Sequence, residues 1–287
     1  MDISQSKCIE FIKNKPSIKG QLVMEEVFFD NLPNEDLTLM EYLNMLESHA
    51  KSVANYNNST LLLSGGISNV RGSWLEVLMA VEYWNSFVSS NQTILVLKMP
   101  NVSTFNFRKL FDEEATSKIN ILEEKLSLNN VTLTTSNPDF LLIDTSKINF
   151  KFPTNKINNL RIDSVTNILE MYKNLEGKCS FDSIIGGISV KTSLRPDRRY
   201  QAVHEGNILK AIFIYLQQKS NVKDFKFKYY FLTPSKLTQP DKVALSTVAT
   251  HTLVSSDGTP EKSVDLHFNP KLIKDLKTVY KDIIKNI

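Results

Sequence analysis

The chain has 287 residues, 41% hydrophobic and 23% charged, with a formal net charge of +3. That length and balance allow a large core or two fused lobes and exclude a disordered or fibrous protein. The small net charge means that any polyanion-binding surface must come from local clustering of Lys and Arg. Two cysteines, Cys8 and Cys179, exclude a disulfide framework and a four-thiolate zinc site, and point to a reducing cytoplasm. The opening MDISQSKCIEFIKNK lacks the apolar core of a signal peptide. No apolar run approaches the roughly 18 residues of a membrane span, so no membrane association is expected.

Residues 1–60 read as a helical region, clearest in Leu37–Ala54, where Leu39, Tyr42, Leu43 and Leu46 recur at helical spacing. A short apolar run, Leu61–Leu63, leads to Gly65-Gly66 and a polar loop through Arg71-Gly72. Ser73 is then expected to open a helix whose apolar face carries Trp74, Leu78, Val81 and Tyr83 or Trp84. Thr93–Met99 reads as a buried strand stopped at Pro100, and Phe107–Leu128 as one helix. Val131–Thr135 and Asp139–Ile143 flank a turn at Ser136-Asn137-Pro138, and a helical pattern returns in Val165–Leu175. Ile184–Lys191 is strand-like, Glu205–Gln218 is a helix, and Phe225–Leu232 alternates at first as a half-exposed strand does. Asp241–Ala249 is expected as a helix, His251–Ser255 as a short strand, and Pro270–Ile287 as a closing amphipathic helix. No repeat, low-complexity tract or linker interrupts the chain. Strands spaced among helices imply an α/β protein with a mixed central sheet flanked by helices. The expected division is a helical N-terminal region, 1–60, packed on a larger region, 61–287, the two forming one compact unit.

Two residues suggest metal-dependent phosphodiester chemistry: Asp139, at the start of an apolar strand, and Lys191, at the end of a later one. Such hydrolysis needs carboxylates to hold Mg²⁺ and gains from a lysine that orients the attacking water and offsets developing charge. Taken singly, the favoured reading of Asp139 is a turn residue and of Lys191 a solvated strand end, since two-residue matches arise often by chance. Glu205, expected in the first turn of its helix, is equally an acid that satisfies the helix dipole. Glu76 equally completes a Ser73-x-x-Glu76 capping box.

The run Arg195-Pro196-Asp197-Arg198-Arg199 is harder to dismiss as a solvated face. Arginine pairing with guanine O6 and N7, beside an aspartate accepting from cytosine N4, is the side-chain set for reading G·C pairs in a major groove. A site for phosphate alone needs no acid. Arg195, Asp197, Arg198 and Arg199 are therefore expected at DNA. The histidines read as background: His204 and His251 lack a partner at metal-ligand spacing, and His49 and His267 read as surface positions.

Several blocks together carry a resemblance. SNVRGSWLEV (Ser68–Val77), LKMPNVSTFNFRK (Leu97–Lys109), TSNPDFLLI (Thr135–Ile143), SVKTSLRPDRRYQAVHEGNILKA (Ser189–Ala211) and TVATHT (Thr247–Thr252) resemble the type II restriction endonucleases that cut around a CCGG core. The likeness is strongest to those recognising purine-CCGG-pyrimidine and runs from about residue 60 onward. It implies the PD-(D/E)XK restriction-endonuclease fold with a permuted site. Ser189 stands where the usual carboxylate two residues before the lysine would be, and Glu205 supplies that carboxylate from the following helix. Asp139 is then the central Mg²⁺ ligand, Lys191 the water-orienting lysine and Glu76 a further acid, while Arg195, Asp197 and Arg198 read the core. The resemblance further implies cleavage before the first C, a four-base 5′ overhang and a homodimer on double-stranded DNA. Many relatives pair two dimers into a tetramer, and the sequence leaves that arrangement open.

Two other readings fit parts of the chain. Asn137-Pro138-Asp139-Phe140 superficially resembles the catalytic loop of amino-methyltransferases, but the second proline and a glycine-rich cofactor loop are missing. A non-catalytic regulator could use the same arginine cluster, binding its site without metal and leaving the DNA intact.

Overall fold

The computed structural model describes residues 3–12, 15–57, 64–220, 222, 224–254 and 259–287. The expected apolar run at 61–63 lies outside them. The N-terminal region is not wholly helical. Strands β1 (Ile9–Ile12) and β2 (Lys15–Ile18) form an antiparallel hairpin ahead of helices α1 (Gly20–Phe28) and α2 (Leu39–Tyr56). Thr38 caps α2 through a full capping box with Glu41, and its buried stripe Leu39, Leu43, Leu46, Ala50, Val53 faces inward.

Helix α3 (Ser64–Ser89) begins nine residues before the expected Ser73 and leads into strand β3 (Ile94–Lys98). The single helix expected over 107–128 is broken. A short 3₁₀ turn at Phe107–Leu110 precedes α4 (Glu113–Ser127), because Asp112 accepts from the Ala115 N–H and starts a new helix there. Residues 131–138 run without regular structure into β4 (Phe140–Asp144). Two short helices follow, α5 (Ile162–Leu169) and α6 (Met171–Leu175), then β5 (Ile184–Val190), α7 (Pro196–Ser220), β6 (Lys228–Leu232) and α8 (Gln239–Leu245). The strand expected at 251–255 is instead a 3₁₀ turn, Thr250–Leu253, with Ser255 outside the described residues. Strand β7 (Leu266–Phe268) and helix α9 (Asp275–Lys285) close the chain.

The five-stranded sheet has the order β3-β4-β5-β6-β7, antiparallel across its first three strands and parallel across its last three. All seven residues of the central strand β5 are buried, as a strand covered on both faces requires. Register fixes the two faces. Phe140, Ile188 and Tyr230 are cross-strand partners, and Tyr83 of α3 packs on both Phe140 and Tyr280 of α9, so α3 and α9 cover that face. Leu141, Gly187 and Tyr229 share the other face, which α7 covers. One continuous apolar core runs from Cys8 in the N-terminal region to Ile283 in α9. The N-terminal region also joins the C-terminus directly, through the Leu39 N–H to the Lys271 carbonyl at 2.8 Å.

Candidate active site

The candidate site lies at one end of the sheet, where β3 and β5 finish and β4 begins. Asp139 immediately precedes β4 and Lys191 immediately follows β5, so antiparallel pairing of the two strands brings them together. The Val190 N–H donates to Asp139 Oδ2 at 2.5 Å and the Lys191 ammonium to the same oxygen at 3.3 Å. Both contacts fall on Oδ2, so Oδ1 takes no part in them. The loop ahead of Asp139 is pinned by Asn137, which donates to the Phe105 carbonyl at 3.0 Å and accepts from the Phe107 N–H at 2.7 Å. That staple fixes the otherwise irregular segment that aims the aspartate.

Glu205 comes from α7, but not from its first turn. The helix starts at Pro196, and Glu205 lies in its interior at 5% exposure, facing the sheet. The dipole explanation for this acid is therefore excluded, since the dipole acts within the terminal turn. Each of its oxygens has one donor: the Ser136 hydroxyl to Oε1 at 2.5 Å and the Tyr229 hydroxyl to Oε2 at 2.6 Å. Tyr229 is itself fixed. Its backbone N–H donates to Asp265 Oδ2 at 2.7 Å, and Asp265 pairs at 2.8 Å with the buried ammonium of Lys210 from α7. Next to Glu205, Gly206 lets the helix approach closely. A Cβ there would stand 2.2 Å from the Ser263 carbonyl oxygen and 2.8 Å from the Tyr229 ring.

Glu76 reaches the cleft from the other face of the sheet. It sits in the interior of α3, so the expected capping box with Ser73 does not form. Its carboxylate pairs with Lys98 at the end of β3, at 2.7 Å, and Lys98 also donates to the Met99 carbonyl at 3.1 Å. Glu76, Asp139, Lys191 and Glu205 thus line one cleft, together with Gln201 and the 99–106 loop. Ser189 is fully buried in β5, on the face that α7 covers, and its hydroxyl has no hydrogen-bond partner. The side chain that stands two residues before Lys191 therefore offers no charge, and Glu205 brings one from the helix across it.

Burial above all pushes Glu205 above the usual carboxylate range; the Asp139 charge adds to that, and the Ser136 and Tyr229 hydroxyls oppose it. Burial likewise raises Glu76, with Lys98 opposing and Asp139 reinforcing the shift. Three acids line this strand end, and the ammonium groups of Lys98 and Lys191 offset part of their charge. Every donor they offer is a carboxylate oxygen, the hard set that Mg²⁺ takes. The residues fit that ion.

The arginine cluster divides. Arg195 and Asp197 lie at the exposed start of α7, paired with each other at 3.3 Å and each with 65% of the side chain accessible. Arg198 donates to the Ser193 hydroxyl at 2.9 Å. Arg199, expected at DNA with them, pairs inside the protein. Its guanidinium donates to the buried Asp241 of α8, and Asp241 caps that helix through Thr238. The structure gives Arg199 a scaffolding contact between two helices, a role no local pattern announced. Lys98, Ser136 and Tyr229 were also missed. Asn137-Pro138 marked the turn beside Ser136, but only packing connects Tyr229 to Glu205.

A family model described as Cfr10I/Bse634I restriction endonuclease matches residues 12–286. The chain belongs to the Cfr10I/Bse634I restriction endonuclease family. It is 31% identical over 240 residues to the type II restriction enzyme Cfr10I of Citrobacter freundii, covering 80% of this chain and 84% of that one. The crystal structure of the Type IIF restriction endonuclease Bse634I with cognate DNA superposes with a TM-score of 0.92 at 38% identity, over 99% of this chain and all of that one. A second Bse634I restriction endonuclease structure matches with a TM-score of 0.90 at 37% identity, over 99% of each chain. The protein is thus a type II restriction endonuclease, a site-specific deoxyribonuclease, with the mixed-sheet fold expected of this family. Family membership sets aside both the methyltransferase and the non-catalytic regulator. Among the described residues no helix is long and apolar enough to cross a membrane.

Proposed function

We propose that this endonuclease uses Mg²⁺ to cut both strands of a palindrome with a CCGG core, in the purine-CCGG-pyrimidine form. It cuts before the first C and leaves a four-base 5′ overhang. The observation that carries the mechanism is the joint between cutting and reading on one helix. Arg195, Asp197 and Arg198 stand at the start of α7, and Glu205, in the cleft, lies nine residues beyond Pro196 on the same helix, about 14 Å along its axis. A rigid helix therefore links a base-reading head to the carboxylate that serves the scissile phosphate.

Asp139 and Glu205 would hold the metal, and Glu76 is a third acid that Lys98 pairs with. A Mg²⁺ ion held by these carboxylates would supply Lewis-acid polarisation of the scissile phosphate and activation of water. The Lys191 ammonium, held against Asp139, donates toward the attacking water and the phosphate oxygens and offsets the charge that grows on them. The Ser136 and Tyr229 hydroxyls favour the ionised form of Glu205 against burial and aim its carboxylate. Arg195 and Arg198 pair with guanines, and Asp197 accepts from cytosine N4 once its pairing with Arg195 opens. A palindromic target calls for a twofold dimer with one active site per strand, since protein symmetry mirrors that of the site. Pairing of two dimers into a tetramer follows only for a protein that engages two sites together, which gel filtration and two-site plasmid kinetics decide. The enzyme works in the cytoplasm, where incoming DNA is met.

Incubation with plasmid and Mg²⁺, followed by end sequencing, tests the reading directly. Fragments with purine-CCGG-pyrimidine junctions are expected. Asp139→Ala and Lys191→Ala should lower cleavage by about 10²–10³ or more while cognate duplex is still bound. Full cleavage by either variant would overturn the site assignment.

A further inference from the structure

A second set of metal-ligating side chains uses none of the active-site residues. Cys8 lies just before β1, Glu26 in α1 and His49 in α2, yet their ligand atoms all fall within 4.8 Å of one another. Cys8 is fully buried, and the side chains of Glu26 and His49 are only 6% and 17% exposed. His49, expected at the surface, is therefore largely enclosed. Its Nε2 is 2.7 Å from Glu26 Oε2. The Ser6 hydroxyl donates to the same oxygen at 2.6 Å and stands 3.2 Å from Cys8 Sγ.

We propose that Cys8, Glu26 and His49 form a binding site for one thiophilic divalent cation of the zinc class, separate from the active site. The donor set argues for that class. One sulfur, one imidazole nitrogen and one carboxylate oxygen suit Zn²⁺, whereas Mg²⁺ and Ca²⁺ take oxygen alone. Tetrahedral zinc, with bonds of about 2.0–2.3 Å, needs ligand atoms roughly 3.3–3.7 Å apart. The His49–Glu26 contact would open and the longest separation close by about an ångström or less to meet that spacing. Three protein ligands leave one position, where the Ser6 hydroxyl or a water completes the tetrahedron. The Lys7 N–H donates to the other carboxylate oxygen, Oε1, at 3.1 Å, which turns Oε2 toward the cluster as an outer partner does at metal sites.

The competing reading is a plain hydrogen-bonded tie. In that tie the thiol is only a hydrogen-bonded neighbour of Ser6 and Glu26, whereas a bound ion would take its sulfur as a ligand beside the imidazole and the carboxylate. Burial pushes the Cys8 thiol up to about 11, so it is protonated in the metal-free protein at neutral pH. Metal uptake must therefore expel a proton, and affinity rises with pH. The bound ion would clamp the β1–β2 hairpin onto α1 and α2.

The test uses full-length protein freed of metal by a chelator, with Co²⁺ as a spectroscopic probe and Zn²⁺ as its competitor. One equivalent of Co²⁺ should bind with a thiolate-to-cobalt charge-transfer band and tetrahedral absorption, and Zn²⁺ should displace it. Cys8→Ser should abolish the band and Cys179→Ala should keep it. His49→Gln should weaken Co²⁺ binding at least tenfold, which decides the matter even if Cys8→Ser fails to fold. At free Zn²⁺ a hundredfold above Kd, the folded-to-unfolded ratio of the natural protein should rise about a hundredfold. Absence of the band in the natural protein, or its persistence in Cys8→Ser, would overturn the site. Pale octahedral cobalt alone would mark binding to the active-site carboxylates only, and would overturn it equally.

Discussion

Removing a single hydroxyl, Tyr229→Phe, separates a carboxylate held for metal from one that is merely buried. Tyr229 is fully buried, so phenylalanine keeps the ring's packing and leaves almost no cavity. What is lost is one of the two donors on Glu205, the 2.6 Å hydrogen bond to Oε2. A hydrogen bond to a charged acceptor contributes about 1.5–3 kcal/mol, and only the ionised carboxylate loses it in full. Glu205 is already raised by burial, so the variant's carboxyl holds its proton still more tightly. At fixed pH the loss corresponds to a roughly 10–100-fold weaker hold on Mg²⁺, the size expected when a ligand loses its outer partner. Single-turnover cleavage of a cognate duplex, followed across Mg²⁺ concentration and pH, reads the effect. The half-saturating Mg²⁺ should rise by that factor and the acid limb of the rate profile should move to higher pH. Metal-free binding to the duplex should stay unchanged. A variant with natural Mg²⁺ dependence and an unmoved acid limb would refute Glu205 as a metal ligand.

Gly206→Ala forces a Cβ against the Ser263 carbonyl, a backbone atom that cannot swing aside, so α7 must move. Stability should fall by about 1–3 kcal/mol in urea unfolding, with cleavage lowered more than DNA binding, and an equally stable, fully active variant would refute the close-packing account. Glu205 binds its proton more tightly folded than unfolded, so as pH falls from its raised value to the ordinary carboxylate range, cleavage should decline while metal-free stability rises. In Glu205→Gln that stability gain should shrink, and an unchanged pH–stability curve in this variant would refute the sign. Arg195→Ala should lose about 1–3 kcal/mol of discrimination at the core with little effect on folding, whereas Arg199→Ala should cost about 1–3 kcal/mol of stability by leaving Asp241 without its partner. Competition binding and thermal unfolding distinguish the two, and a full-strength fold in Arg199→Ala with weakened DNA binding would return that residue to the interface.

The residues that announced themselves in sequence are those whose signal is local. Asp139 and Lys191 flank apolar runs of strand length, and two such runs pair in a sheet, so their meeting was foreseeable from hydrophobic pattern. Arg195 and Asp197 were legible because a charged cluster stiffened by Pro196 stays at the surface, where local chemistry is the whole environment. Helix starts were misread wherever the opening turns carry no apolar period. The largely polar stretch 196–204 hid the first turns of α7 and put Glu205 at a false N-terminus, and the glycine-containing stretch 64–72 did the same for α3 and Glu76.

Beyond that, sequence separation conceals everything that packing joins. Nothing local connects Tyr229 or Ser136 to Glu205, Lys98 to Glu76, or Arg199 to Asp241. Cys8, Glu26 and His49 stood as two background residues and an unremarked acid until three elements folded onto one another. Whole blocks of sequence carried the family by resemblance, and the sequence by itself determined the mixed-sheet class and the pair at the strand ends, because strand periodicity is a property of short stretches. Only the tertiary structure decided which carboxylates are oriented and which arginine remains available. Burial, hydrogen-bond partners and the sign of a pKa shift depend on neighbours that close packing brings in from far along the chain.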